Sequence, residues 1–310
     1  TELAKRSMVV AASFGLASAL SVTVLGDESG YVATEHQKMK IAAMEAMYET
    51  EPAPAALTLF AIPGADGRPT YEVKFPFVLG LITTRSLDRD LPGITELTEK
   101  AAIRIASGIT AYSALEKIKS DATDNVARAS FNEHRADLGY ALLLKKYRAD
   151  VQNATGEEIT KAALDTVPDV WPLFWSFRLM VAIGFLFIAV FAFWFWKASR
   201  HTLDSSPFLL RTAVALLPLP WLAAEAGWLI AEYGRQPWAV EGVLPTFYAA
   251  SGLTVLDLAI SLTFFVAVYT SLAIVMVWLM QRAVRKGPSE RFTLDDGVAA
   301  ITNAKMEPAE

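Results

Sequence analysis

Trp228-Leu229-Ile230-Ala231-Glu232-Tyr233-Gly234-Arg235-Gln236-Pro237-Trp238 closes an apolar block that begins at Phe208 and puts an acid, an arginine and two tryptophans at its end. An ionisable group at membrane depth costs about 2.5 to 3.5 kcal/mol on insertion scales, so Glu232, and Glu225 before it, require an internal partner, a cavity or a ligand. The stretch marks a membrane helix that carries a site.

Three further blocks share its length and character: Met8 to Leu25, Phe174 to Trp196 and Leu258 to Met280. A hydrocarbon core of about 30 Å needs roughly 20 residues at 1.5 Å each, so all four are long enough to cross it. The 310 residues are 53% hydrophobic and their mean hydropathy is +0.32, too apolar for an ordinary soluble domain of this size. The expected fold class is an all-α integral membrane protein with four transmembrane helices and a large hydrophilic loop domain, mainly helical with room for short strands. The expected boundaries are a helix over 1–25, the loop domain over 26–171, helices over 172–197 and 208–232, an outer loop over 233–252, a helix over 253–283 and a tail over 284–310.

Flanking cations orient the spans. Lys5, Arg6, Lys197, Arg200, Arg211, Arg282, Arg285 and Lys286 fall on one side if the four helices alternate, and that side is cytoplasmic by the positive-inside rule. Segments 26–171 and 233–252 then face the periplasm of a bacterial inner membrane. The basic start admits a signal peptide, but the first apolar run exceeds the roughly 7 to 15 residues of such a core and lacks a small-residue cleavage site. The chain opens on Thr1 and enters an apolar stretch almost at once, which reads as part of a longer polypeptide.

Within the outer segment, Gly30 to Thr50 reads as a helix on Ile41, Met44 and Tyr48. Pro52 to Asp90 is rich in proline, glycine and β-formers, and Leu97 to Lys119 and Asp124 to Tyr147 read as amphipathic helices. The end of the chain, Phe292 to Glu310, is polar with little periodicity and is expected to be loose. A net charge of −5 with no basic run interleaved with aromatics excludes nucleic acid as a partner. The absence of cysteine excludes disulfides, thiolate metal sites, cysteine-ligated iron–sulfur clusters and a cysteine nucleophile. His36, His134 and His201 all lie outside the apolar blocks, so a bis-histidine haem within the chain is not expected, and no role is assigned to them.

Glu225, Trp228 and Glu232 stand at i, i+3 and i+7, on one helical face, which is expected to look into the helix bundle. A carboxylate there suits iron coordination or a proton path, and simple ion pairing of Glu232 with Arg235 at i+3 is the plainer reading. Met180 lies just inside the second block, with Arg178 two residues before it and Gly184 one turn after it. A thioether is a known axial haem ligand, Gly184 leaves room for a flat macrocycle, and Arg178 suits a propionate; packing is the ordinary role of such a methionine.

Glu45 has Ile41 and Glu49 at i−4 and i+4, and Ala42 and Tyr48 at i−3 and i+3. No cation on its own helix compensates it and Glu49 repels it, which favours a raised pKa and proton uptake. Lys40 lies about 140° round the same helix, so the two reach one bound ring only from different sides. A solvated loop helix is the alternative.

Together these residues resemble subunit I of the cytochrome bd quinol oxidase family. The resemblance rests on Gly26-Asp27-Glu28-Ser29-Gly30, Lys40-Ile41-Ala42-Ala43-Met44-Glu45, Phe177-Arg178-Leu179-Met180 and Gly234-Arg235-Gln236-Pro237-Trp238, in that order along the chain. It implies that the outer segment is the quinol-binding loop in its long form, with Lys40 and Glu45 interacting with ubiquinol. By the same resemblance Met180 is an axial ligand of the low-spin haem b iron, Arg178 lies near that haem, and Glu232 ligates the high-spin haem b iron. Trp228 then stands on the electron path between haems, and Arg235 holds propionate charge.

The implied cofactors are two b haems and haem d, and the implied reaction carries electrons from quinol to oxygen, forming a proton gradient without a pump. The implied partners are subunit II, a small accessory subunit, membrane lipid and the family's N-terminal helices, which hold further ligands and are not in this sequence. A haem-free transporter or scaffold with intramembrane proton-relay acids is the alternative function.

Overall fold

The computed structural model describes residues 2–64, 66–200, 202 and 207–287. The expected loose tail from Phe292 onward, and His201, lie outside the described residues. Four helical segments are long and apolar enough to cross a membrane, over Lys5–His36, Val170–Ser199, Arg211–Tyr233 and Val255–Lys286, and the chain is a multi-pass membrane protein.

α1 runs without a break over Glu2–His36, 35 residues and therefore about 52 Å at 1.5 Å per residue, well beyond one hydrocarbon core. The stop expected at Gly26–Gly30 is not a helix end. The glycines cost helix stability only modestly, and two arginines from a distant loop hold the extension. Arg85 pairs with Glu28 and lies 4.3 Å over the Tyr31 ring, and Arg89 meets Glu35 at 2.6 Å. Along the helix, the hydroxyls of Ser13, Ser21, Thr23, Ser29 and Thr34 each donate to the carbonyl four residues earlier. That local bonding is how hydroxyls are satisfied where water is scarce.

α2 (Lys38–Met44) follows after a single break at Gln37 and buries Ile41, Ala42, Ala43 and Met44. β1 (Leu57–Pro63) and β2 (Pro69–Phe75) form an antiparallel hairpin with two register shifts, so the proline-rich stretch does hold strands. Its tip carries Gly67 at φ +81, a conformation that suits glycine. The Gly67 carbonyl accepts from both Tyr48 Oη at 3.0 Å and Trp171 Nε1 at 2.9 Å.

α3 (Val78–Thr83) leads to α4 (Ile94–Ser120). The first amides of α4 donate to Met47 O and Tyr48 O at 2.8 and 3.0 Å, so the chain just after α2 caps α4. The expected helix over Asp124 to Tyr147 is broken in two, α5 (Asn125–His134) and α6 (Leu138–Leu142), with 3-10 turns between and after them. α7 (Gly156–Leu164) starts on a capping box of Thr155 and Glu158. α4, α6 and α7 enclose a second core of Ile105, Ala141, Leu143, Leu144 and Val151, closed by Trp238.

α8 (Val170–Ser199) is the central membrane helix of residues 1–250 and packs on both α1 and the helices that follow it. The third span is not one continuous helix: α9 (Pro207–Ala215) and α10 (Leu219–Tyr233) are separated by a turn at 216–218. Pro218 and Pro220 explain this, since proline removes a helix donor and clashes with the preceding turn. β3 (Trp238–Val240) and β4 (Leu244–Pro245) make a small hairpin beyond α10. Residues 251–310 form a separate unit, whose helix α11 (Val255–Lys286) opens on a Thr254–Asp257 capping box and stops at Gly287, φ +66.

The β3–β4 turn is fitted against α6 at Gly139, where an added Cβ would stand 2.2 Å from Gly242 O and 2.6 Å from the Val243 Cα. A Gly139→Ala substitution is expected to lower stability by about 1 to 3 kcal/mol through overpacking. Thermal unfolding in detergent and protease sensitivity of the 238–246 hairpin measure this, and an unchanged profile in both would contradict the contact.

Candidate functional site

α2 stands by the N-terminal part of α8 and the C-terminal end of α10 and sends its two charged residues in different directions. Glu45, which caps its C-terminus, turns to α8; Lys40 turns to α10. The separation of about 140° between them therefore becomes two distinct clusters.

Glu45 is only 2% exposed, and its Oε2 accepts from Arg178 Nη2 at 2.6 Å. The cation missing from its own helix thus comes from α8. Arg178 also donates from Nε to Thr58 O at 3.2 Å and from Nη1 to Met44 O, and its guanidinium stacks 3.7 Å from the Phe174 ring centroid. One side chain thereby joins α2, β1 and α8. Burial pushes the Glu45 carboxyl up to about 7, against the opposing pull of the Arg178 charge. Glu49, expected to repel it, instead faces outward and pairs with Arg68 at 2.8 Å.

Lys40 lies along the end of α10. Its Cγ is 3.1 Å from where a Cβ on Gly234 would be, and its Nζ donates to Ala231 O at 3.3 Å. Burial lowers its pKa, Arg235 lowers it further, and Glu241 and Glu232 raise it. Glu232 and Arg235 form the i+3 ion pair that the spacing allows, with side chains 44% and 36% exposed. Only Oε2 of Glu232 is engaged, and Arg235 Nε is buried with no hydrogen-bond partner.

Met180 is part-buried against the first core, and its Sδ would lie 3.2 Å from a Cβ on Gly227 of α10. A Cβ on Gly184, one turn along, would meet nothing within 4 Å. The thioether is thus packed close to Gly227, with open helix surface at Gly184 one turn along. The Glu225–Trp228–Glu232 stripe, expected to look into the helix bundle, lies on a face of α10 other than the one that meets α8. Ala226 and Ile230 are the buried residues of α10, whereas Trp228 is 63% exposed. Small residues at 226, 227 and 234 allow the close approach, and the bulky, charged face is left outside it.

Donor chemistry at these positions fits haem: a soft thioether one turn from the open surface at Gly184, a carboxylate with one oxygen uncommitted, and a buried guanidinium N–H lacking an acceptor. Among the described residues there is no cluster of three or more histidines or acids suited to a metal ion. A cleft of about 250 Å³ lies on another side of α2, between Thr34, Lys38, Arg89 and Glu96, and none of the expected site residues lines it.

Sequence reasoning missed Glu241. It sits in the β3–β4 turn with neither helical periodicity nor a motif to flag it, yet burial pushes it up to about 7, with Lys40 and Arg104 pulling it down.

Residues 1–288 match the family model of cytochrome bd terminal oxidase subunit I. The chain is 38% identical over 288 residues to the cytochrome bd-II ubiquinol oxidase subunit 1 of Escherichia coli (strain K12), covering 93% of this chain and 56% of that protein. It is 27% identical over 285 residues to the cytochrome bd ubiquinol oxidase subunit 1 of Bacillus subtilis (strain 168), covering 91% and 49%. Among solved structures, the bd oxidase from Geobacillus thermodenitrificans shares the fold, with a TM-score of 0.54 and 24% identity over 92% of this chain and 49% of that one. The chain spans about half the length of the relatives it matches. By sequence and by fold, the chain belongs to the cytochrome bd terminal oxidase subunit I family.

Proposed function

We propose that the chain is part of the haem-bearing subunit of a terminal quinol oxidase in a bacterial inner membrane, acting with subunit II, a small accessory subunit, membrane lipid and further helices of its own subunit. Ubiquinol is oxidised at the periplasmic side and oxygen is reduced to water with protons drawn from the cytoplasm, so a gradient forms without pumping. Two b haems and haem d, when bound, supply the electron carriers and the oxygen-reducing centre.

The observation that carries this reading is the ion pair between buried Glu45 and Arg178, two residues before Met180 on α8. It sets a proton acceptor and a candidate iron ligand at the same end of one helix. Glu45, with its raised pKa, takes a proton from a quinol hydroxyl. Arg178 holds that carboxylate through a charge-assisted bond, and Phe174 keeps water from its other face.

Met180 would provide the thioether for the low-spin haem b iron, with open helix surface at Gly184 one turn along. Glu232 offers its uncommitted oxygen to the high-spin haem b iron, Arg235 Nε offers its hydrogen bond to a propionate, and the exposed Trp228 ring lies toward the electron path. Lys40 presents ammonium donors to the quinol head group. Family membership favours this reading over a haem-free transporter or scaffold.

Two measurements test it. In reduced-minus-oxidised spectra of the assembled oxidase in membranes, Met180→Leu is expected to abolish the low-spin b band and spare the others; a retained band removes Met180 from the ligand set. For Glu45, the base form is the active one and its pKa is about 7, so quinol oxidation should rise as pH passes upward through about 7. Glu45→Gln is expected to lower the rate about 100-fold or more, the usual scale for a general base, and to flatten that profile while the haem spectra stay intact. Loss of all haem in this variant would instead assign Glu45 to assembly.

A further inference from the structure

The β1–β2 hairpin has two unlike faces. Successive side chains of a strand point to opposite sides. The register puts Phe60 opposite Val73 and Ile62 opposite Tyr71 on one face, with Ala61 opposite Glu72 and Thr58 opposite Lys74 on the other. The second face is satisfied within the protein. Thr58 and Ala61 are buried, and Lys74 meets Glu51 at 3.0 Å and Glu72 at 3.2 Å.

The first face carries large apolar and aromatic side chains and is uncovered. Tyr71 and Phe75 are 59% and 55% exposed, and Phe60, Ile62 and Val73 are exposed beside them. An antiparallel sheet with one face to water puts polar residues on that face, and soluble surfaces rarely gather so many large apolar groups in one place. β2 has charges to offer, yet it turns Glu72 and Lys74 to the other side.

The attachment of the hairpin to α8 indicates which medium meets this face. Gly67 O accepts from Trp171 Nε1 at 2.9 Å, the Phe60 ring meets the Trp175 ring edge-on at 5.3 Å, and Thr58 O accepts from Arg178 Nε at 3.2 Å. The anchoring residues on α8 span about 10 Å of its axis, over the turns in which the membrane span begins. Trp175 is itself exposed and stands in line with Leu179, Leu186 and Phe193, at i+4, i+11 and i+18, all exposed along the span. An apolar surface therefore runs from that stripe through Trp175 onto Phe60 and its cross-strand neighbour Val73. Tryptophan and tyrosine are the residues that favour the level of lipid head groups.

We propose that the exposed face of the β1–β2 hairpin docks into the head-group and upper acyl layer of the lipid bilayer beside α8. The loop domain is then held on the membrane by an amphipathic hairpin as well as by the helices at its two ends. Lipid is the occupant because the face continues the apolar surface of a membrane span, carries interfacial aromatics and keeps its charges on the opposite side. Seated in this way, the hairpin also sets the depth of Thr58 O, which accepts from Arg178. Only the membrane spans are needed for this, and no haem or quinol role enters it.

The test uses the complete oxidase reconstituted in phosphatidylcholine vesicles. The chain has no cysteine, so Val73→Cys and Glu72→Cys each give it one labelling position, one on either face of the hairpin, and the unaltered complex sets the background. A bimane label is read against phosphatidylcholine brominated near the top of its acyl chains, and against aqueous iodide. The label at 73 is expected to lose most of its fluorescence to the brominated lipid and little to iodide, and the label at 72 the reverse. The two positions are adjacent in the chain, so only the face distinguishes them.

A label at 73 that iodide quenches as strongly as the label at 72 means that the face meets water, and overturns the proposal. A label at 73 that neither quencher reaches means that protein covers the face, from subunit II or another part of subunit I, and overturns it equally. Should Val73→Cys not assemble, Tyr71→Cys lies on the same face and decides the matter by the same outcomes.

Discussion

A carboxylate and a guanidinium withdrawn from water cost several kcal/mol each, and their attraction repays this only when the remaining polar atoms are also satisfied. The Glu45–Arg178 pair meets that condition, because Arg178 spends its other donors on the carbonyls of Met44 and Thr58 and lays its face on Phe174. Those bonds fix the end of α2, the start of β1 and the N-terminal part of α8 relative to one another. The hairpin tip is bound to the same helix about two turns earlier, by Trp171. α2, β1 and α8 are registered against that pair, and removing either partner would leave a buried charge at a cost of about 3 to 5 kcal/mol.

With α2 held at one side by Glu45, its opposite side is left for Lys40, which reaches the carbonyl end of α10. Helix C-termini carry partial negative charge, so a cation is favoured there. Arg235 follows in the next turn, and two cations at one helix end repel. Glu232 pairs with Arg235 and offsets that repulsion. A short helix with opposite charges on different faces thus organises two neighbouring helix ends, each with its own acid and base.

What could be read from the sequence follows from which forces are local. The four apolar blocks were legible because crossing a bilayer sets a minimum length and composition, and the capping box at Thr155 or the turn at Gly67 obeys short-range rules. The break at Pro218 was visible in the residues but hidden by averaging hydropathy over a span. The run of α1 past Gly26–Gly30 depends on Arg85 and Arg89, more than fifty residues away, and Arg178 lies 133 residues from Glu45. No periodicity carries such pairings. The α10 stripe shows a further limit: spacing placed Glu225, Trp228 and Glu232 on one face, whereas the direction of that face was decided by Ala226, Gly227 and Gly234, whose small size lets α8 approach.

That choice of face bears on the stretch that closes α10. Ion pairing and iron ligation compete for Glu232 only if both use the same oxygen. Arg235 engages Oε2, keeps a buried Nε without an acceptor, and leaves the Glu232 side chain nearly half exposed on the side away from α8. A pair that satisfied itself completely would bury both groups or bind them in two-pronged fashion, with no donor left over. Here one Glu232 oxygen and the Arg235 Nε–H remain uncommitted, so the i+3 pair does not consume either residue completely.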